Sequence, residues 1–136
     1  MNIDKLNKAF IDIAEKKIEL DRFDVQEPQY DAILTEIHEM EEQFLNDYGQ
    51  FIEEALFTVH DEYCPDNDVL LPVAYMASKY LRNSQREGYD VDNDQGIIVE
   101  ADDISDKVRL VLVPEPTRLI LQGEKTGFKE TVWTLD

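Results

Sequence analysis

Apolar residues recur every three or four positions in two stretches of the N-terminal half of the chain. Such spacing places side chains along one side of a helix. The first stretch consists of Ile3, Leu6, Phe10, Ile13, Ala14 and Ile18. It predicts an amphipathic helix over residues 4–21, and Asn2 can cap its first turn with a side-chain oxygen. The second stretch predicts a helix over residues 28–63, which Pro28 is suited to begin.

The second predicted helix is long for a chain of 136 residues. At 1.5 Å per residue it would extend about 54 Å, whereas a compact domain of this size is about 37 Å across. The apolar stripe nevertheless keeps its helical phase through Gly49. We therefore predict a bend near residue 49. The alternative is a projecting helix whose stripe is covered by a second copy of the chain in a homodimer.

The C-terminal half has a different pattern. Residues 69–82 are apolar on more than one side, which predicts a third, buried helix with Pro72 in its first turn. Four strand-like runs follow, at residues 96–100, 107–113, 117–122 and 128–135. Their short connections predict an antiparallel meander with one face against the helices, hence a single α+β domain spanning residues 1–136. The predicted core includes Phe44, Phe51, Leu70, Val73, Leu110, Leu112 and Leu119.

Charge is the strongest compositional feature, since 31 acidic and 13 basic side chains give a formal net charge of −18. The acidic excess lies in residues 1–106, whereas residues 107–136 are nearly neutral. Such a field repels nucleic acids and anionic membranes and attracts cationic partners. The chain shows neither a signal-peptide pattern nor an apolar run of membrane-spanning length. With Cys64 as its single cysteine, we expect a soluble cytoplasmic protein that binds neither nucleic acid nor membranes.

Carboxylates of the second predicted helix form a candidate interaction face. Glu36 and Glu39 fall opposite the apolar stripe, where they would face solvent. The candidate face consists of Glu36, Glu39, Glu42, Glu53, Glu54 and Asp61. Segregated charge without a recognisable catalytic motif favours an inhibitor, immunity protein or adaptor. The first hypothesis is therefore a non-catalytic protein whose acidic helical face binds a basic protein partner.

Three residues define an alternative site between the helices and the sheet: Glu41, His60 and Cys64. Glu41 falls inside the apolar stripe, where a carboxylate needs an ion pair or a hydrogen bond, and we expect such a structural partner. Cys64 follows His60 by one helical turn, but nearby carboxylates and the preceding helix C-terminus disfavour a thiolate nucleophile. We interpret His60 as a helix-surface residue and Cys64 as a part-buried structural thiol. A small enzyme of unfamiliar type is the second hypothesis, and a purely structural homo-oligomer is the third.

Two patterns resemble metal sites. The Asp90–Asp94 loop has the alternating carboxylates of a calcium loop, but the Gly and Glu that an EF-hand needs at its sixth and twelfth positions are missing. The second pattern is a metal phosphohydrolase set made of His38, His60, Asp61 and either Asp102 or Asp103. Its two histidines fall at the edge of the apolar stripe or beyond it and need not converge. We therefore predict no metal, no cofactor and no catalytic residue.

Overall fold

A computed structural model of the chain describes residues 1–83, 85, 88–101 and 104–135. It confirms the α+β class, because two helices come first and a four-stranded antiparallel sheet follows. Helix α1 spans Ile3–Leu20 and helix α2 spans Pro28–Tyr63. No helix among the described residues has the length and apolarity needed to cross a membrane.

The helix ends follow the local sequence. The side chain of Asn2 accepts a hydrogen bond of 3.0 Å from the backbone N–H of Lys5, which confirms the predicted N-cap of α1. Pro28 occupies the first turn of α2, where a missing N–H costs no helical hydrogen bond. The backbone stays helical through Gly49, so α2 has no break there. The predicted bend near this residue stays a prediction.

The long helix α2 is covered by two different parts of its own chain. Its N-terminal half packs against α1, where the rings of Phe10 and Phe44 lie 5.8 Å apart. Its C-terminal half packs against the sheet and the segment that precedes it, and Phe51 contacts Trp133 with ring centroids 6.3 Å apart. The apolar side of α2 is therefore buried within one chain.

The predicted helix over residues 69–82 is absent. Only Pro72–Tyr75 form a helical turn, of the 3-10 type, and the residues on either side of it are extended. The apolar pattern has another cause, since this segment contacts both α2 and the sheet, and Met76 forms a parallel bridge with Leu112. The prediction of Leu70 as a core residue is wrong, because its side chain is 43% exposed.

The remaining predicted core residues lie inside. Phe44, Leu110, Leu112 and Leu119 are buried, whereas Phe51 and Val73 are half-buried and pack against the same core.

Six strands follow the 3-10 turn. A short hairpin that the sequence pattern did not predict pairs β1 (Leu81–Arg82) with β2 (Tyr89–Asp90). The main sheet contains β3 (Ile97–Val99), β4 (Val108–Val113), β5 (Arg118–Gly123) and β6 (Lys129–Thr134), in the order β3-β4-β5-β6. This order confirms the predicted meander.

Both faces of the central strands are covered, and the prediction of one covered face was incomplete. On the face away from the helices, Val111 pairs with Ile120, and both are buried. Residues 89–96 run across this face. Four side chains of the sheet donate hydrogen bonds of 2.6–3.1 Å to backbone carbonyls of this segment: Arg109 to Gly96, Arg118 to Tyr89, Gln122 to Asp92 and Gln95, and Lys129 to Val91.

Candidate functional site

The outer side of α2 carries a row of exposed side chains at helical spacing. We call this row the acidic stripe; it consists of Glu36, Glu39, Gln43, Asp47, Gln50, Glu54, Phe57 and Asp61. Helix α2 as a whole contains ten acidic residues and neither lysine nor arginine. Side chains three and four residues apart on a helix are neighbours, and among the carboxylates of the stripe only Glu36 and Glu39 have this spacing.

The described cations that pair with α2 lie along its N-terminal half. Lys16 of α1 lies 3.0 Å from Glu36, and Lys17 lies 3.4 Å from Glu41. Within the described part of the chain, no α2 carboxylate beyond Glu41 has a cation within 4.0 Å. Of the six predicted face residues, Glu36 is thus paired and Glu53 is half-buried. The other four, Glu39, Glu42, Glu54 and Asp61, are exposed, and no cation of the described residues lies within 4.0 Å of them.

An exposed aromatic side chain interrupts the acidic stripe. Phe57 is 51% exposed, with Glu54 one turn before it and Asp61 one turn after it. An aromatic residue surrounded by polar groups is a common feature of protein interfaces. Phe57 was not among the predicted site residues, although its position outside the apolar stripe is a usable signal.

Glu41 has the structural partner that the sequence led us to expect. Lys17 forms the ion pair with Glu41, and their side chains are only 10% and 18% exposed. The Lys17 ammonium also donates a hydrogen bond of 2.9 Å to the carbonyl of Ala77 and lies 5.8 Å from the ring centroid of Tyr80. Burial lowers the pKa of Lys17, and the charge of Glu41 opposes that shift. The sequence signal for Lys17 is its place four residues after Ile13, on the buried side of α1.

His60 is not a helix-surface residue, since only 3% of it is exposed. Its Nδ1 lies 3.0 Å from the carbonyl oxygen of Asn67, and its Nε2 lies 2.8 Å from the Tyr75 hydroxyl. A carbonyl can only accept, so Nδ1 carries the proton and Nε2 accepts from the tyrosine. The same hydroxyl accepts a hydrogen bond of 3.0 Å from the N–H of Leu70. The imidazole thus ties the end of α2 to the following loop.

The alternative site is not assembled by this fold. Cys64 is buried beside His60, and its N–H donates to the His60 carbonyl over 2.9 Å. Burial raises the pKa of the Cys64 thiol, which suits a structural residue rather than a nucleophile. Glu41 lies on the same unbroken helix, about 28 Å from His60 at 1.5 Å per residue. The three side chains therefore do not share a site.

The three carboxylates of the Asp90–Asp94 loop have different surroundings. Asp90 accepts a hydrogen bond of 2.9 Å from the Asn83 side chain, whereas Asp92 and Asp94 are exposed. Over the residues that the structure describes, no three His, Cys, Asp or Glu side chains are arranged to hold a metal ion. In the predicted phosphohydrolase set, His38 is exposed, and Asp102 and Asp103 lie outside the described residues.

The chain matches no family model, no curated protein and no solved structure. Its function is therefore inferred from the burial, contacts and charges of its own residues.

Proposed function

We propose that this chain is a non-catalytic interaction protein that binds a basic protein partner along the acidic stripe of α2. The observation that supports this proposal is the exposure of the C-terminal half of the stripe and its lack of paired cations among the described residues. There Glu54 and Asp61 face solvent with no cation within 4.0 Å among the described residues, and Phe57 stands exposed between them.

The electrostatics of the stripe favour a cationic partner. Helix α2 carries ten carboxylates and neither lysine nor arginine, so it presents a negative field to its surroundings. A field of one sign also speeds the encounter with an oppositely charged protein. The opposite side of α2 is packed against α1 and the sheet, so the stripe is presented on a supported helix. Little ordering is then required when a partner binds.

Phe57 adds an apolar contact to this charged surface. Burying a phenylalanine side chain contributes about 1.5–3 kcal/mol, which is comparable with the contribution of a hot-spot residue. The surrounding carboxylates would pair with lysine or arginine side chains at the rim of the interface. The partner surface that fits is therefore basic with an apolar recess, rather than uniformly basic.

A second copy of this chain is a poorer occupant of the stripe. Two copies would bring carboxylates of the same stripe together, which costs free energy. The apolar side of α2, which could have driven pairing, is already covered by α1 and the sheet. An oppositely charged protein is therefore favoured over a homodimer through this helix.

The test is affinity capture from native lysate with a stripe variant and a matched control. The stripe variant carries Glu39→Lys, Glu54→Lys and Asp61→Lys, and a separate variant carries Phe57→Ala. The control has the same charge change outside the acidic stripe, at the exposed residues Asp66, Glu100 and Glu130. Each protein is used at low and at high salt, and captured proteins are identified by mass spectrometry.

We expect a basic protein that is retained by the wild type and by the control, lost by the stripe variant, and weakened by Phe57→Ala. Its retention should fall at high salt, because ions screen exposed charges. Equal loss in the control and in the stripe variant would mean that net charge alone causes the capture. That result, or no captured partner at either salt concentration, contradicts the proposal.

A further inference from the structure

A cleft of about 700 Å³ opens between the end of α1, the first turns of α2 and the 92–95 turn. Ligand sites for small molecules commonly have volumes of about 300–1,000 Å³, so the cleft is large enough for one. It contains no residue of the acidic stripe and lies on a different side of α2.

Part of the lining of this cleft is apolar. Phe23 and Leu34 line it, and both are half-buried. These side chains come from the α1–α2 connection and from α2. These side chains favour a ligand with an apolar body, because contact removes apolar surface of both partners from water.

The walls of the cleft carry an uncompensated negative charge. Two of its carboxylates have cations within the same cleft, since Glu41 pairs with Lys17 and Asp21 pairs with Lys79. Three further carboxylates, on Asp24, Asp92 and Asp94, have no cation within 4.0 Å in the part of the chain that the structure describes. Lys17 and Lys79 are thus already paired with carboxylates, and the three remaining carboxylates suit the positive charge of a ligand.

The acidic wall is held in place before any ligand arrives. Gln122 donates hydrogen bonds to the carbonyls of Asp92 and Gln95, at 2.9 and 3.1 Å. The Gln95 side chain accepts from the N–H and the hydroxyl of Ser78, at 2.9 and 3.1 Å. These bonds join the 92–95 turn both to β5 and to the segment that holds Ala77. A fixed wall lowers the ordering cost of binding.

We propose that this cleft binds a small organic cation, namely an amine with an apolar body. The apolar part contacts Phe23 and Leu34, and the ammonium group pairs with Asp92, Asp94 and Asp24. This inference does not depend on the protein partner proposed above, because the two sites share no residue.

The probe is phenethylamine, followed by amide chemical shifts of the isotope-labelled full chain. The comparison ligands are 2-phenylethanol, which has a similar shape without charge, and 3-phenylpropionate, which has the opposite charge. The chain offers a matched pair of variants, because Asp-Asn-Asp occurs at residues 66–68 and again at residues 92–94. Asp92→Asn with Asp94→Asn is compared with Asp66→Asn with Asp68→Asn.

We expect the amine to shift amides around the cleft and to bind about tenfold more tightly than the alcohol, while the carboxylate does not bind. The 92/94 variant should weaken amine binding by about fivefold or more, since exposed ion pairs are lost. The 66/68 variant should bind like the wild type.

Equal affinity for amine and alcohol would overturn the proposal. An equal loss in the two double variants, or shifts outside the cleft, would overturn it as well. The ligand comparison uses wild-type protein, so it remains decisive if the 92/94 variant fails to fold. A failed capture experiment on the acidic stripe would leave this result unaffected.

Discussion

Replacing Lys17 by methionine should destabilise the protein more than any other single lysine substitution on α1. Methionine keeps the length and helix propensity of the lysine stem, so the main change is the lost charge. Its removal leaves Glu41 without its cation on a side chain that is only 18% exposed. The Ala77 carbonyl loses its hydrogen bond from Lys17 at the same time.

The size of the effect follows from the geometry. At a separation of 3.4 Å, two unit charges attract by about 5 kcal/mol if the effective dielectric constant is about 20. Desolvation offsets much of this gain in the intact pair, but removing one partner leaves an uncompensated charge. We expect Lys17→Met to lower the free energy of unfolding by about 2–4 kcal/mol, because Glu41 keeps some hydration. Glu41→Met should cost about 1–3 kcal/mol, since Lys17 retains the Ala77 carbonyl.

The double variant separates the ion pair from simple packing. Two methionines occupy similar volume without charge, so the double variant should lie within about 1.5 kcal/mol of the wild type. Urea unfolding followed by circular dichroism gives the four free energies of the cycle. Lys8→Met is the control, because Lys8 forms an exposed pair with Asp12 on the same helix, and its expected cost is below about 0.5 kcal/mol. If the two single effects add within about 0.5 kcal/mol in the double variant, the pair is not coupled and the reasoning fails.

Three further outcomes are expected. Leu110→Ala should cost about 2–5 kcal/mol in urea unfolding and Leu70→Ala less than about 0.5 kcal/mol, because Leu110 is fully buried and Leu70 is 43% exposed; similar costs would contradict this assignment. Hydrogen bonds lower the pKa of Asp106 to about 2, and the one from the Thr126 side chain has the largest effect. The stabilisation that these bonds give is complete above the ordinary Asp pKa and is lost as pH falls toward 2. Asp106→Asn should therefore melt closer to the wild type at pH 2 than at pH 6, and a constant difference would refute this. Burial should make Cys64 react slowly with a disulfide reagent until guanidinium unfolds the chain, whereas rapid reaction of the native protein would contradict its burial.

Elements with a local pattern were predictable from the sequence. Both helices and the four strands of the main sheet lie within one residue of their predicted ends. Asn2 and Pro28 take the expected places at the helix starts, because capping depends only on neighbouring residues. The need of Glu41 for a partner was also predictable, since a carboxylate in an apolar stripe cannot remain unpaired without cost.

Contacts made by the backbone were not predictable in the same way. Residues 69–82 are apolar on several sides, and periodicity alone does not distinguish a buried helix from an extended segment between two layers. Residues 89–96 accept hydrogen bonds from side chains of the sheet through backbone carbonyl oxygens, which have no signature in the sequence. The position of His60 depends on the path of the loop through Asn67 to Tyr75, which wraps the end of α2.

The negative charge on the outer side of α2 reflects where the few basic residues form their hydrogen bonds and ion pairs. Arg109, Arg118 and Lys129 donate to the segment that covers the sheet, and Arg82 pairs with Glu15 to attach the small hairpin to α1. Lys16 and Lys17 reach only the N-terminal half of α2. The described cations that hold the fold together are therefore directed inward or toward α1. In the part of the chain that the structure describes, no cation lies within 4.0 Å of the carboxylates in the C-terminal half of α2, and the proposal of a basic partner rests on this observation.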